Sequence, residues 1–497
     1  MTEQTFVPGD PRGFAALEPA AHEQGDTIAL LDGTVTVEHR FTVPVDHSQT
    51  LAEAREHTAD GTGPGPGGAG TLTVFAREFR ASDSAEDAEK PWLLYLQGGP
   101  GSGGTRPARL GGWMKEACRT HRVLMLDQRG TGASTPATVA SLSALSPQAQ
   151  ADYLVHLRAP GIVRDAEMMR LALGVERWTT LGQSFGGFCT LSYLSWYPES
   201  LERSLVTGGL APVTGHADRV YRATYARMRA RAEEFFGRVP QAEDGWKRIV
   251  AHLRSRAAAG EPEMLPDGSE LTVARAQMLG MYFGGNTRLD TLVYLLTEGL
   301  DTTGGTPRLS EAFRAAVAGM VERRTHPLYT VLHEAIYAQP DAVSEATGSA
   351  ATDWAAARVL AEHPDFDPEA TAAENAAPVP TGEHVFAWQV AADSDLAPLA
   401  EATQILAAKQ DWGPLYDVEA LAENTVPVAA AVYTDDVYVD RDLSLETAEA
   451  VQGLKVKEYG EFHHDGIGDE GARILRELLE LAGGRPAPND DPTDTTS

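Results

Sequence analysis

The chain has 497 residues, 42% hydrophobic and 23% charged, a composition that supports a large packed core and excludes a disordered or fibrous protein. Its length suits two or three structural units, or one domain carrying a large insertion. The formal charge of -30 argues against nucleic acid and anionic membrane as partners, because both are polyanions.

The start, MTEQTFVPGD, lacks a basic region followed by an apolar run, and no stretch is long and apolar enough to span a bilayer. Cys118 and Cys189 cannot build a disulfide framework and suit a reducing compartment. The expectation is a soluble cytoplasmic protein.

In chain order, TVTVEHRFTVPV (34–45) and TLTVFAREF (71–79) are rich in β-branched and aromatic residues. They are expected as an antiparallel pair at a sheet edge and as the first ordered segments. The connection between them is expected to be long and mobile, and its Gly/Pro stretch GTGPGPGGAG (61–70) to hold neither helix nor strand. The acidic run SAEDAEK (84–90) is expected to be a solvated loop. Short apolar strands then alternate with helical patterns: WLLYL (92–96), RVLMLD (122–127), a helix over 162–173, WTTLG (178–182), a helix over 188–197 and SLVTGG (204–209). That alternation predicts an α/β fold, a mostly parallel central sheet flanked by helices.

From 211 to 400 the strand rhythm gives way to long helical patterns such as VYRATYARMRARAEEFF (220–236). A large, mainly helical insertion there would form a cap over the strand ends. The core is thus expected in two parts, 1–210 and 401–484. The second contains VPVAAAVY (426–433), LKVKEY (454–459) and a terminal amphipathic helix over 470–482. The tail 485–497 is polar, acidic and Pro-containing, and disorder is expected.

Gly182-Gln183-Ser184-Phe185-Gly186 fits the G-x-S-x-G nucleophile elbow, a sharp strand-to-helix turn. Its plain structural alternative is a tight turn with Ser184 capping the next helix. A serine needs a base and a group that orients it, and on this architecture these follow in the order serine, acid, histidine. Thr434-Asp435-Asp436 and His463-His464-Asp465 stand after the last two strands, in that order. The residues alone do not separate Asp435 from Asp436, or His463 from His464. An oxyanion hole also needs backbone donors, and Gln97-Gly98-Gly99-Pro100-Gly101 follows an early strand. That glycine run does not match a phosphate-binding motif. Asp127-Gln128-Arg129-Gly130 offers side chains to brace the oxyanion loop and the elbow, or a buried Arg-Asp pair.

With GGPGSG (98–103), DQRGTGAS (127–134) and GQSFGG (182–187), the chain resembles the proline iminopeptidases (prolyl aminopeptidases) of the α/β-hydrolase superfamily. HEAIYAQ (333–339), TGEHVFAW (381–388), YTDDVYV (433–439) and HHDG (463–466) extend the likeness to the longer-chain branch. The family usually shows HGGPG, so Gln97 is a departure. The resemblance implies Ser184 as nucleophile, Asp436 as orienting acid and His464 as base. Gly99 and Phe185 would form the oxyanion hole, and Glu334, with Glu383 as the second candidate, would bind the substrate's free amino terminus. No cofactor and no metal are implied, and the substrates would be small peptides with an N-terminal proline. Two competitors stand beside this reading: a carboxylesterase or broader amidase on the same triad, and a catalytically silent binding scaffold.

Overall fold

The computed structural model describes residues 10–286, 289–370 and 377–483. The expected leaderless start and the tail 485–497 fall largely or wholly outside them. Nine strands form one sheet: β1 (Ala21–Ala29), β2 (Val35–Pro44), β3 (Thr71–Arg80), β4 (Trp92–Leu96), β5 (Arg122–Asp127), β6 (Trp178–Gln183), β7 (Leu201–Thr207), β8 (Val428–Tyr433) and β9 (Leu454–Tyr459). Their order is β1-β2-β3-β5-β4-β6-β7-β8-β9. The pairs from β1 to β5 are antiparallel, and from β5 to β9 every pair is parallel.

The short apolar runs form strands covered on both faces. In β4, Leu94 and Leu96 join the core on one side while Leu93 and Tyr95 join the core on the other. β8 divides the same way, Val428, Ala430 and Val432 against Ala429, Ala431 and Tyr433. A strand's side chains alternate, so a strand buried on both faces must be apolar throughout. Each such leucine contributes roughly 1.5–3 kcal/mol of transfer free energy. The helices Ala159–Ala172 and Phe185–Trp196 cover the first face. The terminal helix Gly466–Leu481 covers the second with Ile474, Leu475, Leu478 and Leu479, a spacing that makes one apolar stripe.

Three expectations at the amino-terminal side need correction. Ordered structure begins before residue 34: β1 pairs with β2 from Ala21↔Thr42 to Ala29↔Val35, so β1 and not β2 is the sheet edge. Its residues are mostly exposed, which removes the apolar alternation that marks a strand. The 46–70 connection contains a ten-residue helix, Leu51–Asp60, with Thr50 and Glu53 forming a reciprocal cap, and Pro66–Gly68 makes a 3-10 turn. The run 84–90 includes the helical turn Ala85–Ala88, capped by Ser84, and Asp87 is buried against Ser82 and Lys90.

Between β7 and β8 the chain is mainly helical, opening with Ala217–Arg238 and Pro240–Ala258 and including a two-residue ribbon, Leu300–Asp301 with Arg308–Leu309. Part of it lies directly on the strand ends. A Cβ placed on Gly101, in the loop after β4, would sit 2.8 Å from the Leu328 Cβ and from the Tyr329 amide nitrogen.

Candidate active site

The sheet register aligns the carboxyl ends of the parallel strands. Leu96 is opposite Gly182, Gln183 opposite Thr207, Thr207 opposite Ala431, and Tyr433 opposite Tyr459. The loops after β4, β6, β8 and β9 therefore converge at one edge, where ligands collect in open α/β sheets.

Ser184 stands between β6 and the helix Phe185–Trp196 at φ 54°, ψ -124°. It makes no side-chain cap, so the turn is an elbow rather than a capped helix start. A non-glycine residue at that φ is strained and persists only where its surroundings hold it. Here the Ser184 N–H donates to the Thr207 carbonyl at 3.0 Å, and its carbonyl accepts from Gly187 N–H at 2.7 Å. The flanking glycines are required by close approach. A Cβ on Gly182 would lie 2.3 Å from the Gly186 oxygen, one on Gly186 1.9 Å from the Leu96 oxygen, and one on Gly187 2.4 Å from the Gly209 oxygen.

His464 and Asp436 meet across the last two strand ends, Nδ1 to Oδ2 at 2.8 Å. The Asp436 Oδ1 accepts from the Tyr438 and Val439 amides at 2.9 and 3.0 Å, which locks the carboxylate. The neighbouring pair behaves otherwise: Asp435 is exposed, and His463 Nδ1 contacts the Asp435 backbone oxygen at 3.2 Å. With Nδ1 committed, Nε2 of His464 is the nitrogen free to serve a hydroxyl. Burial opposes a charged His464, but the charge and hydrogen bond of Asp436 outweigh it, and with Glu383 and Asp465 they push it up to about 9.

The Gln97–Gly101 loop packs on the elbow: a Cβ on Gly98 would be 3.0 Å from the Ser184 Cβ. Among the described residues neither the Gly99 nor the Phe185 amide donates to a protein acceptor. Asp127 holds the loop's far end by accepting from the Gly104 N–H, and from Ala133 in its own turn, both at 2.7 Å. Gln128 Nε2 donates to the Gln97 carbonyl at 3.0 Å. These side chains brace the Gly-rich loop after β4, and Arg129 forms the buried pair with Asp165 at 2.7 Å. The Gln97 Oε1 is buried with no partner among the described residues.

Glu383 belongs to the same electrostatic neighbourhood. Burial raises its carboxyl to about 7, opposed by His464 and the Tyr329 hydroxyl and reinforced by Asp436 and Asp465. Tyr329 Oη donates to Glu383 Oε1 at 3.0 Å. The Ala356 N–H donates to Glu334 Oε1 at 3.0 Å, at the start of the helix Ala355–Leu360, and Glu334 lines a small cavity with Thr330, Thr352 and Trp354. Its Oε2 is buried without a partner among the described residues. Burial raises Glu334 to about 7 as well, against the amides of Ala356 and Ala355 and the Thr352 hydroxyl. Both carboxylates act on the buried Tyr221 hydroxyl.

Phe188, Tyr337 and Tyr438 are aromatic neighbours that were not singled out as site residues by sequence. The Phe188 ring lies 5.9 Å from Phe185 and 5.5 Å from Tyr337, and Tyr438 sets its ring edge-on to His464 at 5.0 Å. Their only signal was position, inside GQSFGGF, HEAIYAQ and YTDDVYV.

A family model described as the alpha/beta hydrolase fold matches residues 91–282. A proline iminopeptidase of Aeromonas sobria is 42% identical over 453 residues, covering 91% of this chain and 97% of its own. One from Aspergillus aculeatus is 30% identical over 457 residues, covering 90% and 93%. Identity at that level, over nine-tenths of this chain and more than nine-tenths of each relative, shows that the chain belongs to the proline iminopeptidase family, built on the α/β-hydrolase fold.

Proposed function

We propose that the chain is a serine exopeptidase that releases N-terminal proline from small peptides. Ser184 Oγ attacks the proline carbonyl while His464 Nε2 takes its proton, and Asp436 holds the imidazole in the required tautomer. The Gly99 and Phe185 amides face the developing oxyanion. Collapse breaks the C–N bond, His464 returns the proton to the leaving amine, and water then releases proline from the acyl-enzyme. The observation that carries this reading is the buried His464–Asp436 pair on the same edge of strand ends as a strained elbow serine, with the Glu383 carboxyl in the same field.

Glu383 is the carboxylate we assign to the substrate's ammonium group, with the unpartnered Oε2 of Glu334 as the second contact. Recognition then assists chemistry. An ammonium beside Glu383 cancels one of the negative charges that keep His464 protonated, so binding lowers its pKa toward the range of a working base. An ester pocket needs no such carboxylate, which disfavours the esterase reading. The same proposal divides the chain into a core of 1–210 and 401–484 and a cap of 211–400 whose Leu328–Tyr329 segment roofs the oxyanion loop. The two free, buried cysteines support placing it in the cytoplasm, and no described helix is long and apolar enough to cross a membrane.

The deciding assay is hydrolysis of proline p-nitroanilide beside its N-acetylated form and p-nitrophenyl acetate, with Ser184→Ala as blank. Fast cleavage of the free-amine amide, blocked by acetylation and lost in Ser184→Ala, is expected. Efficient ester turnover with the proline amide ignored would reassign the pocket.

A further inference from the structure

A second cavity, of about 180 Å³, opens among residues of the amino-terminal segment, the loop after β2 and the helix Ala159–Ala172. None of Ser184, Asp436 and His464 lines it. Two arginines on its wall carry donors that find no partner among the described residues. The Arg12 side chain is 7% exposed; its Nε and Nη2 donate to Asp10 at 2.8 and 2.6 Å, while Nη1 is buried with no partner among the described residues.

Arg158 is 4% exposed and bonds only carbonyls: Nε to Ala335 at 2.9 Å, Nη2 to Ala338, and Nη1 to Gly413 at a long 3.4 Å. No described carboxylate lies within salt-bridge distance of it, and its guanidinium stacks 4.5 Å above the Trp412 ring. A guanidinium has five N–H donors, so Arg158 retains two beyond these three bonds. Burial lowers its pKa from the usual guanidinium range to about 9, the signature of a cation without a counter-charge.

Of the other titratable groups on the wall, Arg129 is fully buried and paired with Asp165, which His47 also contacts, and burial holds the His47 and His156 rings below the usual imidazole range. Asp46 is the one carboxylate among the described lining residues, its Oδ1 accepting from the Ser48 amide at 2.8 Å. Phe14, Val155, Pro160 and Pro414 make the rest of the surface largely apolar. We propose that this cavity binds a small carboxylate with an apolar body, its two oxygens facing the guanidinium groups of Arg12 and Arg158, at a site separate from Ser184, Asp436 and His464. A singly charged, planar group matches the few free N–H donors and is repelled less by Asp46 than a phosphate dianion, which would also bring more charge than those donors can satisfy.

The test is isothermal titration calorimetry of the full chain with sodium butyrate, with the neutral isostere butyramide and with inorganic phosphate, all at fixed ionic strength. Butyrate is expected to bind one site saturably, and Arg12→Met and Arg158→Met each to weaken it by about tenfold or more, a loss of at least about one hydrogen-bonded charge contact. Arg12→Met is expected to keep wild-type turnover of proline p-nitroanilide, which verifies its fold, and it decides the matter alone should Arg158→Met not fold. No saturable butyrate binding, equal binding of butyramide, tighter binding of phosphate, or butyrate affinity untouched by Arg12→Met would each overturn the proposal.

Discussion

His464 and Asp436 sit 2.8 Å apart, Nδ1 to Oδ2, with side chains only 6% and 1% exposed, and the second Asp436 oxygen is held by two backbone amides. Every donor around that carboxylate points inward, so an asparagine at 436 must turn its NH₂ toward an N–H. Asp436→Asn is expected to lower kcat by roughly 10³–10⁴-fold, the scale of losing the correct histidine tautomer. Asp435→Asn, on an exposed side chain, is expected to stay within about twofold of wild type. Steady-state kinetics of the two variants side by side decides it, and equal losses would mean that the pairing is wrong.

The carboxylates around His464 set a pH signature. The base assigned to His464 must be unprotonated, and against its burial His464 is pushed up to about 9 by Asp436 and, further, by Glu383. The profile of kcat/KM, which reports the free enzyme, is therefore expected to rise as pH climbs toward that value. Glu383→Gln removes a negative neighbour, which lowers the histidine pKa and moves the rising limb to lower pH, while KM for proline p-nitroanilide increases. A limb that stays in place would exclude Glu383 from the field of His464.

Folded stability is expected to change in the same window. His464 binds its proton more tightly folded than unfolded, so this contribution is complete below the ordinary histidine pKa of about 6.5 and is lost as pH rises through about 9. Comparing the pH dependence of thermal unfolding of wild type and Asp436→Asn isolates it: the variant is expected to lack that alkaline decline.

Close approach at the elbow makes a sharp contrast between glycines. Gly186→Ala would press a methyl to 1.9 Å from the Leu96 oxygen, and a destabilisation of about 3 kcal/mol or more is expected, because neither backbone can give way. Gly237, exposed in the helix Ala217–Arg238 with nothing within 4 Å of a new Cβ, is expected to gain up to about 1 kcal/mol as alanine. Urea unfolding of both variants reads the difference directly.

Asp127 offers one oxygen to Gly104 and the other to Ala133 and Arg106. Asp127→Asn leaves a buried donor facing a donor, at a cost of about 1–3 kcal/mol. Because Gly104 ends the loop to which we assign the oxyanion donor, kcat is expected to fall by about 10²-fold, the scale of a small misplacement at a reacting centre. Unchanged kcat with reduced stability would restrict Asp127 to holding its own turn.

Short-range chemistry was enough for much of this molecule. The continuous apolar runs of β4, β5 and β8 mark strands buried on both faces, and the glycines around Ser184 mark a turn where backbones nearly touch, since burial period and steric room are written into neighbouring residues. The order of serine, acid and histidine follows from the alternation of strands and helices. The polar, exposed β1 escaped detection because its pairing with β2 rather than burial of its own side chains defines it, and the helix Leu51–Asp60 escaped because only Leu51 and Ala54 face inward. Which of two adjacent histidines meets which of two adjacent aspartates was decided by tertiary structure, since each pair shares one local environment in sequence and differs only in direction across the strand ends. The same holds for Glu383 in the field of His464 and for Arg12 and Arg158 on the wall of one cavity: composition names the charges, but only packing determines which of them loses its solvent and which finds a partner.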